Sequence, residues 1–297
     1  MESQVTCVAP VGDRCGEGVV WAQSEQAVYW VDVLRYLVHR LDCASSSVRS
    51  WHFDEPVVAL SLTSDASRML VALGSRLIYW WPSTDRRQDH GFKLDGYPRV
   101  RLNEGRSDPL GNFWLGTMKN NVLPNAELGE AGKGEGVLLR IAPDGTSTQW
   151  RGNLGISNTL CWSPDGTSLY FGDTLENELY AFDYNGADGS IGNERSYFAG
   201  FERGAPDGSA IDSEGYVWNC RFGGACIVRV SPQGTIDRVI EMPVQNVTTC
   251  TFGGEDLKTL FIATASIVSP PGNRLAGSLF SLRVDIPGLE ENRCRIG

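Results

Sequence analysis

Residues 21–42, WAQSEQAVYWVDVLRYLVHRLD, and residues 162–183, WSPDGTSLYFGDTLENELYAFD, align without a gap at an offset of 141. Trp21 falls on Trp162, Val28 and Tyr29 on Leu169 and Tyr170, Asp32 on Asp173, Leu34 on Leu175, Val38 on Leu179, Leu41 on Phe182 and Asp42 on Asp183. Alone, the first copy is ambiguous: residues 19–55 contain neither Gly nor Pro, and apolar residues at 30, 34, 37 and 41 would also suit one helix face. The second copy carries Pro164-Asp165-Gly166, a hairpin signal, so both copies are predicted to be strands. A further offset of 104 lays Asp108 on Asp212, Gly111 on Gly215 and Phe113-Trp114 on Val217-Trp218. These are copies of one unit.

Using the apolar-aromatic pair as a marker gives Tyr29, Leu70, Trp114, Tyr170, Trp218 and Phe261, spaced by 41, 44, 56, 48 and 43 residues. Units of this size match the four-stranded blade of a propeller, and a blade buries its faces only by stacking on neighbours. The expectation is an all-β, six-bladed β-propeller forming one domain over residues 1–297. Residues 277–284 read as a last strand, and residues 4–9, ahead of the first unit, are expected to close the last blade.

Composition narrows the partners. Of 297 residues, 41% are hydrophobic and 21% charged, which excludes disordered and collagen-like chains. A net charge of -10, with no Lys/Arg cluster beyond pairs such as Arg86-Arg87, argues against nucleic acid. No apolar run approaches the ~20 residues that cross a bilayer, and residues 1–18 lack a signal peptide's apolar stretch, so the expectation is a cytoplasmic protein without a membrane partner. Eight cysteines without a CxxC pair read as free thiols. His39 is expected within a strand, His52 between units and His90 in a polar loop, which leaves any catalysis to oxygen ligands. Asp32 and Asp173 read as turn or interblade hydrogen-bond acceptors, and Trp114 and Trp218 as core.

The same offsets place Glu17 on Asn158 and Asn103 on Asp207, each 11 or 12 residues before its unit's marker. Rotation about a propeller axis superposes equivalent positions, so these four side chains are expected at one mouth of the channel. The corresponding position is apolar near Val58 in the second unit and hydroxylic near Thr248 and Thr249 in the sixth. Two carboxylates and two carboxamides there supply hard oxygen donors for a divalent cation.

Gly16-Glu17-Gly18 with Trp21, Arg101-Leu102-Asn103 with Asp108-Pro109 and Gly116-Thr117-Met118, Ile156-Ser157-Asn158 with residues 162–166, Pro206-Asp207-Gly208, and Phe252-Gly253-Gly254 run in one order across nearly the whole chain. In this it resembles the SMP-30/gluconolactonase/LRE family, and within it the bacterial aldonolactonases such as xylonolactonase and arabinonolactonase. The resemblance implies one divalent metal ion (Ca, Zn, Mn, Mg or Fe(II)) on Glu17, Asn158 and Asp207, with Asp207 also the acid/base. It implies substrate contacts by Arg101 and Asn103, and it points to Glu104 and Asn121 at positions where the family often has Asp and Glu. Val19 stands where the family usually has proline. The expected activity is hydrolysis of a sugar lactone to its aldonic acid: the metal would polarise the carbonyl, Asp207 would carry the proton, and Arg101 would orient the ring or the developing oxyanion. The competing readings are a phosphotriesterase-like hydrolase and a non-enzymatic metal-binding regulatory propeller.

Overall fold

In the computed structural model, which describes residues 4–125 and 127–295, the chain forms six four-stranded antiparallel sheets arranged as a β-propeller. The first strand, β1 (Thr6–Ala9), is set apart from the blade that follows it. Blade 1 is β2 (Gly16–Ala22), β3 (Ala27–Asp32), β4 (Leu37–Asp42) and β5 (Ser47–His52). Blade 2 is β6 (Val57–Leu62), β7 (Met69–Leu73), β8 (Arg76–Trp81) and β9 (Arg86–Lys93). Blade 3 is β10 (Val100–Ser107), β11 (Phe113–Lys119), β12 (Gly136–Ile141) and β13 (Ser147–Leu154). Blade 4 is β14 (Ser157–Trp162), β15 (Ser168–Asp173), β16 (Glu178–Tyr184) and β17 (Ile191–Ala199). Blade 5 is β18 (Ala205–Ile211), β19 (Val217–Phe222), β20 (Cys226–Val230) and β21 (Ile236–Glu241). Blade 6 is β22 (Asn246–Gly253), β23 (Thr259–Ala265) and β24 (Leu279–Arg283), with β1 paired to β24 as its outer strand.

The helix-like spacing over residues 30–41 resolves into the hairpin β3–β4, preceded by one 3-10 turn at Gln23–Glu25. Tyr29, Leu70, Trp114, Tyr170, Trp218 and Phe261 all lie on the second strand of their blades. Inner strands touch in the cyclic order β2, β6, β10, β14, β18, β22 and back to β2. Apolar side chains fill the layers between blades; Trp80, for example, meets the edges of Tyr29, Trp51 and Phe53. Burial of this kind, at ~25 cal/mol per Å² of apolar surface, drives the stacking that no blade achieves alone. The repeated aspartates act as turn acceptors: Asp32 receives the backbone N–H groups of Cys15 and Leu34, and Asp173 those of Gly155 and Leu175. Asp108 and Asp212 each accept the indole N–H of the buried tryptophan six residues on, Trp114 and Trp218. All eight cysteines are free thiols. His52 and His90, expected between units and in a loop, instead lie on the outer strands β5 and β9, whose exposed polar residues erase the apolar alternation that marks a strand.

Every inner strand carries one residue more than its partner. The register slips between Glu17 and Val20, Val57 and Ala59, Leu102 and Gly105, Asn158 and Leu160, Pro206 and Ser209, and Val247 and Thr249. These are β-bulges, which bend a strand and re-aim its side chains.

At the other end of the inner strands residues 285–295, the last ones described, cross beneath the ring. Gly288 N donates to Leu257 O in blade 6, Ser213 N in blade 5 donates to Pro287 O, Asn292 Nδ2 donates to Ser107 O in blade 3, and Cys294 N donates to Leu62 O in blade 2. Glu291 accepts from Arg106 Nη2 at 3.4 Å and from Thr251 Oγ1 at 2.6 Å. A 360 Å³ cavity lined by Arg106, Trp162, Phe252, Leu289 and Glu291 lies here, at the end of the inner strands opposite the bulges. Replacing Glu291→Ala withdraws a carboxylate from a mostly buried guanidinium and is expected to cost about 2 kcal/mol in urea unfolding, with Glu291→Gln intermediate.

Candidate active site

Glu17, Asn103 with Glu104, Asn158, and Asp207 lie at the bulges of blades 1, 3, 4 and 5. Asn158 and Asp207 are buried, while Glu17, Asn103 and Glu104 are half-buried. Gly18 and Thr159 hold the same place in the repeat and both have left-handed backbones, φ 55° and 50°. Glycine adopts this freely; a β-branched threonine does not, so Thr159 needs external support. It has that support: Thr159 Oγ1 donates to Asp207 O at 2.6 Å and accepts from Ser209 Oγ at 2.8 Å, and Asn219 Nδ2 reaches Ser209 Oγ at 3.0 Å. This chain of hydrogen bonds fixes the backbone that carries Asp207.

The carboxamide of Asn158 is held through its nitrogen. Nδ2 donates to Thr174 Oγ1 at 2.8 Å, and Thr174 Oγ1 donates to Pro206 O at 2.8 Å, which leaves Asn158 Oδ1 without a partner among the described residues. Arg101, buried on β10, donates through Nη1 to Leu102 O at 2.9 Å and Asn103 Oδ1 at 2.7 Å, and through Nη2 to Asn121 Oδ1 at 3.1 Å. Asn103 Nδ2 in turn donates to Ser157 O at 2.9 Å, so this clamp is tied to the residue before Asn158. Asn121 is buried just beyond β11.

Electrostatics mark the same place. Burial first, and then the like charges of Asp207 and Glu104, push the Glu17 carboxyl well above its ordinary range. Burial and the Glu104 charge do the same to Asp207, against a backbone N–H from Gly208 and the positive charge of Arg221. Burial raises Glu104 to about 7, opposed chiefly by Arg106. Burial lowers the Arg101 guanidinium to about 10, with Cys15 and Glu17 opposing.

The sequence-derived group of Glu17, Asn103, Asn158 and Asp207 is therefore gathered at one mouth, with Arg101, Glu104 and Asn121 beside it. Among the described residues no three His, Cys, Asp or Glu side chains cluster as a metal site; the donors here are two carboxylates and the carboxamide oxygen of Asn158, a hard-oxygen set. His39, buried on β4, bridges Ser50 Oγ and Asp13 Oδ1 and belongs to blade packing. Sequence reading missed Arg221. Its Nη2 donates to Asn177 Oδ1, Phe201 O and Gly204 O, its Nη1 to Asn219 Oδ1, and its Nε to Arg203 O. Arg221 thereby clasps the segment that leads into β18 and Asp207, and an arginine inside the largely apolar β19, whose other polar residue is Asn219, was the available signal.

A propeller with this mouth defines a family, and the chain belongs to it: the SMP-30/Gluconolactonase/LRE-like region matches residues 15–266. The chain is 33% identical over 302 residues to the 6-deoxy-6-sulfogluconolactonase of Pseudomonas putida, covering 98% of both chains. It is 31% identical over 269 residues to regucalcin of Gallus gallus, covering 89% of this chain and 87% of that one. Among solved structures, regucalcin of Agrobacterium tumefaciens strain C58, described as a calcium-binding protein, superposes with a TM-score of 0.91 at 27% identity, covering 100% of this chain and 99% of the other.

Arg221→Met would take a donor from five acceptor oxygens, of which Phe201 O keeps Asn177 Nδ2, and would unclasp β18. The expected loss is about 3 kcal/mol or more in chemical denaturation, with Arg221→Lys recovering only part, because a lysine cannot reproduce the planar fork.

Proposed function

We propose that this protein hydrolyses a sugar lactone, an aldonolactone, to its aldonic acid, using one divalent cation. The observation that carries the reading is the convergence of Glu17, Asn158 and Asp207 beside the Arg101–Asn103–Asn121 clamp at one channel mouth. The family supports it, as does the lactonase name of the Pseudomonas putida relative. Three features of the mouth fit a cation. Both carboxyls resist charging without a neutralising partner, Asn158 offers a carbonyl oxygen whose amide nitrogen is already engaged, and all three donors are oxygens. We assign Glu17, Asn158 and Asp207 as its ligands, and Ca, Mg, Mn, Zn and Fe(II) all suit such donors.

When bound, the cation supplies Lewis acidity to the lactone carbonyl and acidifies water. Asp207 takes the proton from the attacking water as oxygen bonds to the carbonyl carbon. The ring C–O bond then breaks, and Asp207 returns the proton to the departing ring oxygen, which becomes a hydroxyl. Arg101, fixed by Asn103 and Asn121, orients the substrate, and Glu104 faces it from the bulge of blade 3. The setting we infer is a cytoplasmic sugar-oxidation route acting on a small molecule, with all six blades serving as one domain. No described helix is long and apolar enough to cross a membrane. The calcium-binding description of the Agrobacterium tumefaciens relative favours a second reading, a cation-binding regulator without catalysis.

Acid release from xylono-, arabinono-, galactono- and gluconolactones, corrected for spontaneous hydrolysis, separates the two. Lactonase activity should vanish with a chelator and return with a divalent cation. Asp207→Ala should lower kcat/KM by about a hundredfold or more, and by more than Asn103→Ala does. Undiminished rate and metal content in Asp207→Ala would remove the assignment, and turnover greatest on an aryl phosphotriester would replace the substrate class.

Cation binding has its own readout. A ligand at about a hundred times its Kd stabilises the native state by about 2.7 kcal/mol, so the supporting cation should raise Tm in the wild type. In the Glu17→Gln, Asp207→Asn double variant that rise should disappear.

A further inference from the structure

Among the described residues three arginines are buried, Arg101, Arg221 and Arg229. Arg229 meets the carboxylates of Asp212, Glu214 and Asp237 at 2.7 to 2.9 Å. Arg101 and Arg221 touch none among the described residues; every partner they have is a neutral carbonyl or carboxamide oxygen. A buried cation is ordinarily paired, because desolvation is repaid only by an opposite charge at close range.

The two differ in what they have left to offer. All three nitrogens of Arg221 are engaged in the clasp behind Asp207, and its Nη2 alone meets three acceptors. Arg101 lies at the mouth; its Nε is buried without an acceptor, both N–H groups of its Nη1 are engaged, and its Nη2 has one hydrogen bond for two N–H groups, which leaves one N–H to offer. The acidic groups that face Arg101 are Cys15, whose thiol burial keeps protonated, and Glu17, which the reading above commits to the divalent cation. With that charge shared, the guanidinium of Arg101 has no anion of its own.

Resting on that lactonase reading, we propose that the preferred lactone carries an anionic substituent, a carboxylate, sulfonate or phosphate, that pairs with the Arg101 guanidinium. Asn121 is the specificity determinant: its Oδ1 holds Nη2 in place without cancelling the charge. With Nη1 fully engaged and Nε buried, the oxyanion would be held by the guanidinium charge and the remaining Nη2 N–H, a charge-assisted hydrogen bond. The net charge of -10 opposes anion binding only weakly, since surface charges beyond ~8 Å are screened at physiological salt. The rival role for Arg101, contact with the lactone carbonyl, would serve neutral and anionic rings alike.

The test uses the full chain saturated with the cation that supports hydrolysis. kcat/KM is compared for neutral gluconolactone and for its 6-phospho and 6-deoxy-6-sulfo derivatives and glucaro-1,4-lactone, whose three anions separate the candidate groups. We expect at least one anionic lactone to exceed the neutral one by about tenfold or more, with the advantage shrinking as salt rises. Asn121→Asp keeps the size and the acceptor but places a carboxylate on Arg101. It should cut the anionic-to-neutral ratio by about tenfold, whereas Asn121→Ser, which removes the holding oxygen without adding a charge, should lower the ratio by clearly less. A wild type that prefers gluconolactone, or a ratio that Asn121→Asp does not move, overturns the inference and leaves the lactonase reading standing. Failure to hydrolyse any of the four lactones or the aldonolactones named above, with every divalent cation tried, would sink the lactonase reading and this inference with it.

Discussion

Each inner strand holds one residue more than the strand it pairs with, and the side chains at the channel mouth depend on that surplus. In a regular strand alternate residues face the two sides of the sheet, and in a propeller both sides are apolar layers shared with neighbouring blades. Strands β6 and β14 are buried at every position, so a carboxylate in simple alternation would have to enter such a layer. The bulge interrupts the alternation at the start of the strand and lets a polar group sit there. All six blades keep the bulge, including blades 2 and 6, where Val58 and Thr248 occupy it. It is a property of the ring, and the side chains placed on it are the variable part.

The bulge level also braces the ring. Thr248 Oγ1 donates to Gly16 O, joining blade 6 to blade 1 beside Glu17. Asn103 Nδ2 joins blade 3 to blade 4 at Ser157, and Thr159 Oγ1 joins blade 4 to blade 5 at Asp207. Candidate site residues are thus held by contacts that cross blade boundaries, which explains how groups far apart in sequence are kept in fixed relation without a helix or disulfide.

Much of this was legible in the sequence, for a physical reason. The ring repeats, so an aromatic marker and a turn aspartate recur with each blade, and rotational equivalence turns a shared repeat position into a shared place in space. Glu17 and Asn158 could be matched by an offset of 141 because both precede their markers by the same count. What hid was whatever does not repeat. The bulges add one residue to every inner strand alike and so leave no mark in the spacing, Arg221 is a single charge in a largely apolar strand, and Glu291 follows the last strand, where no repeat predicts it. His52 and His90 were misplaced because outer strands facing water have no reason to alternate.

The segment beneath the ring bears on the mouth through charge. Glu104 lies at the mouth, Arg106 two residues further along β10, and Glu291 on the far side of Arg106. Arg106 also donates to Ser209 O at 2.8 Å, which anchors it in the channel wall. One guanidinium thus serves two carboxylates, and it contacts Glu291 while acting on Glu104 only through space. Burial raises Glu104 to about 7, and the shared Arg106 offsets that only in part. Burial holds Glu17 and Asp207 above their ordinary range, and the charge of Glu104 adds to it. Buried acids arranged this way favour neutralisation from outside the chain, by protons or by a cation. In the proposed reading the cation is the better match, because a proton satisfies one lone pair and a divalent ion can draw on three oxygen donors at once.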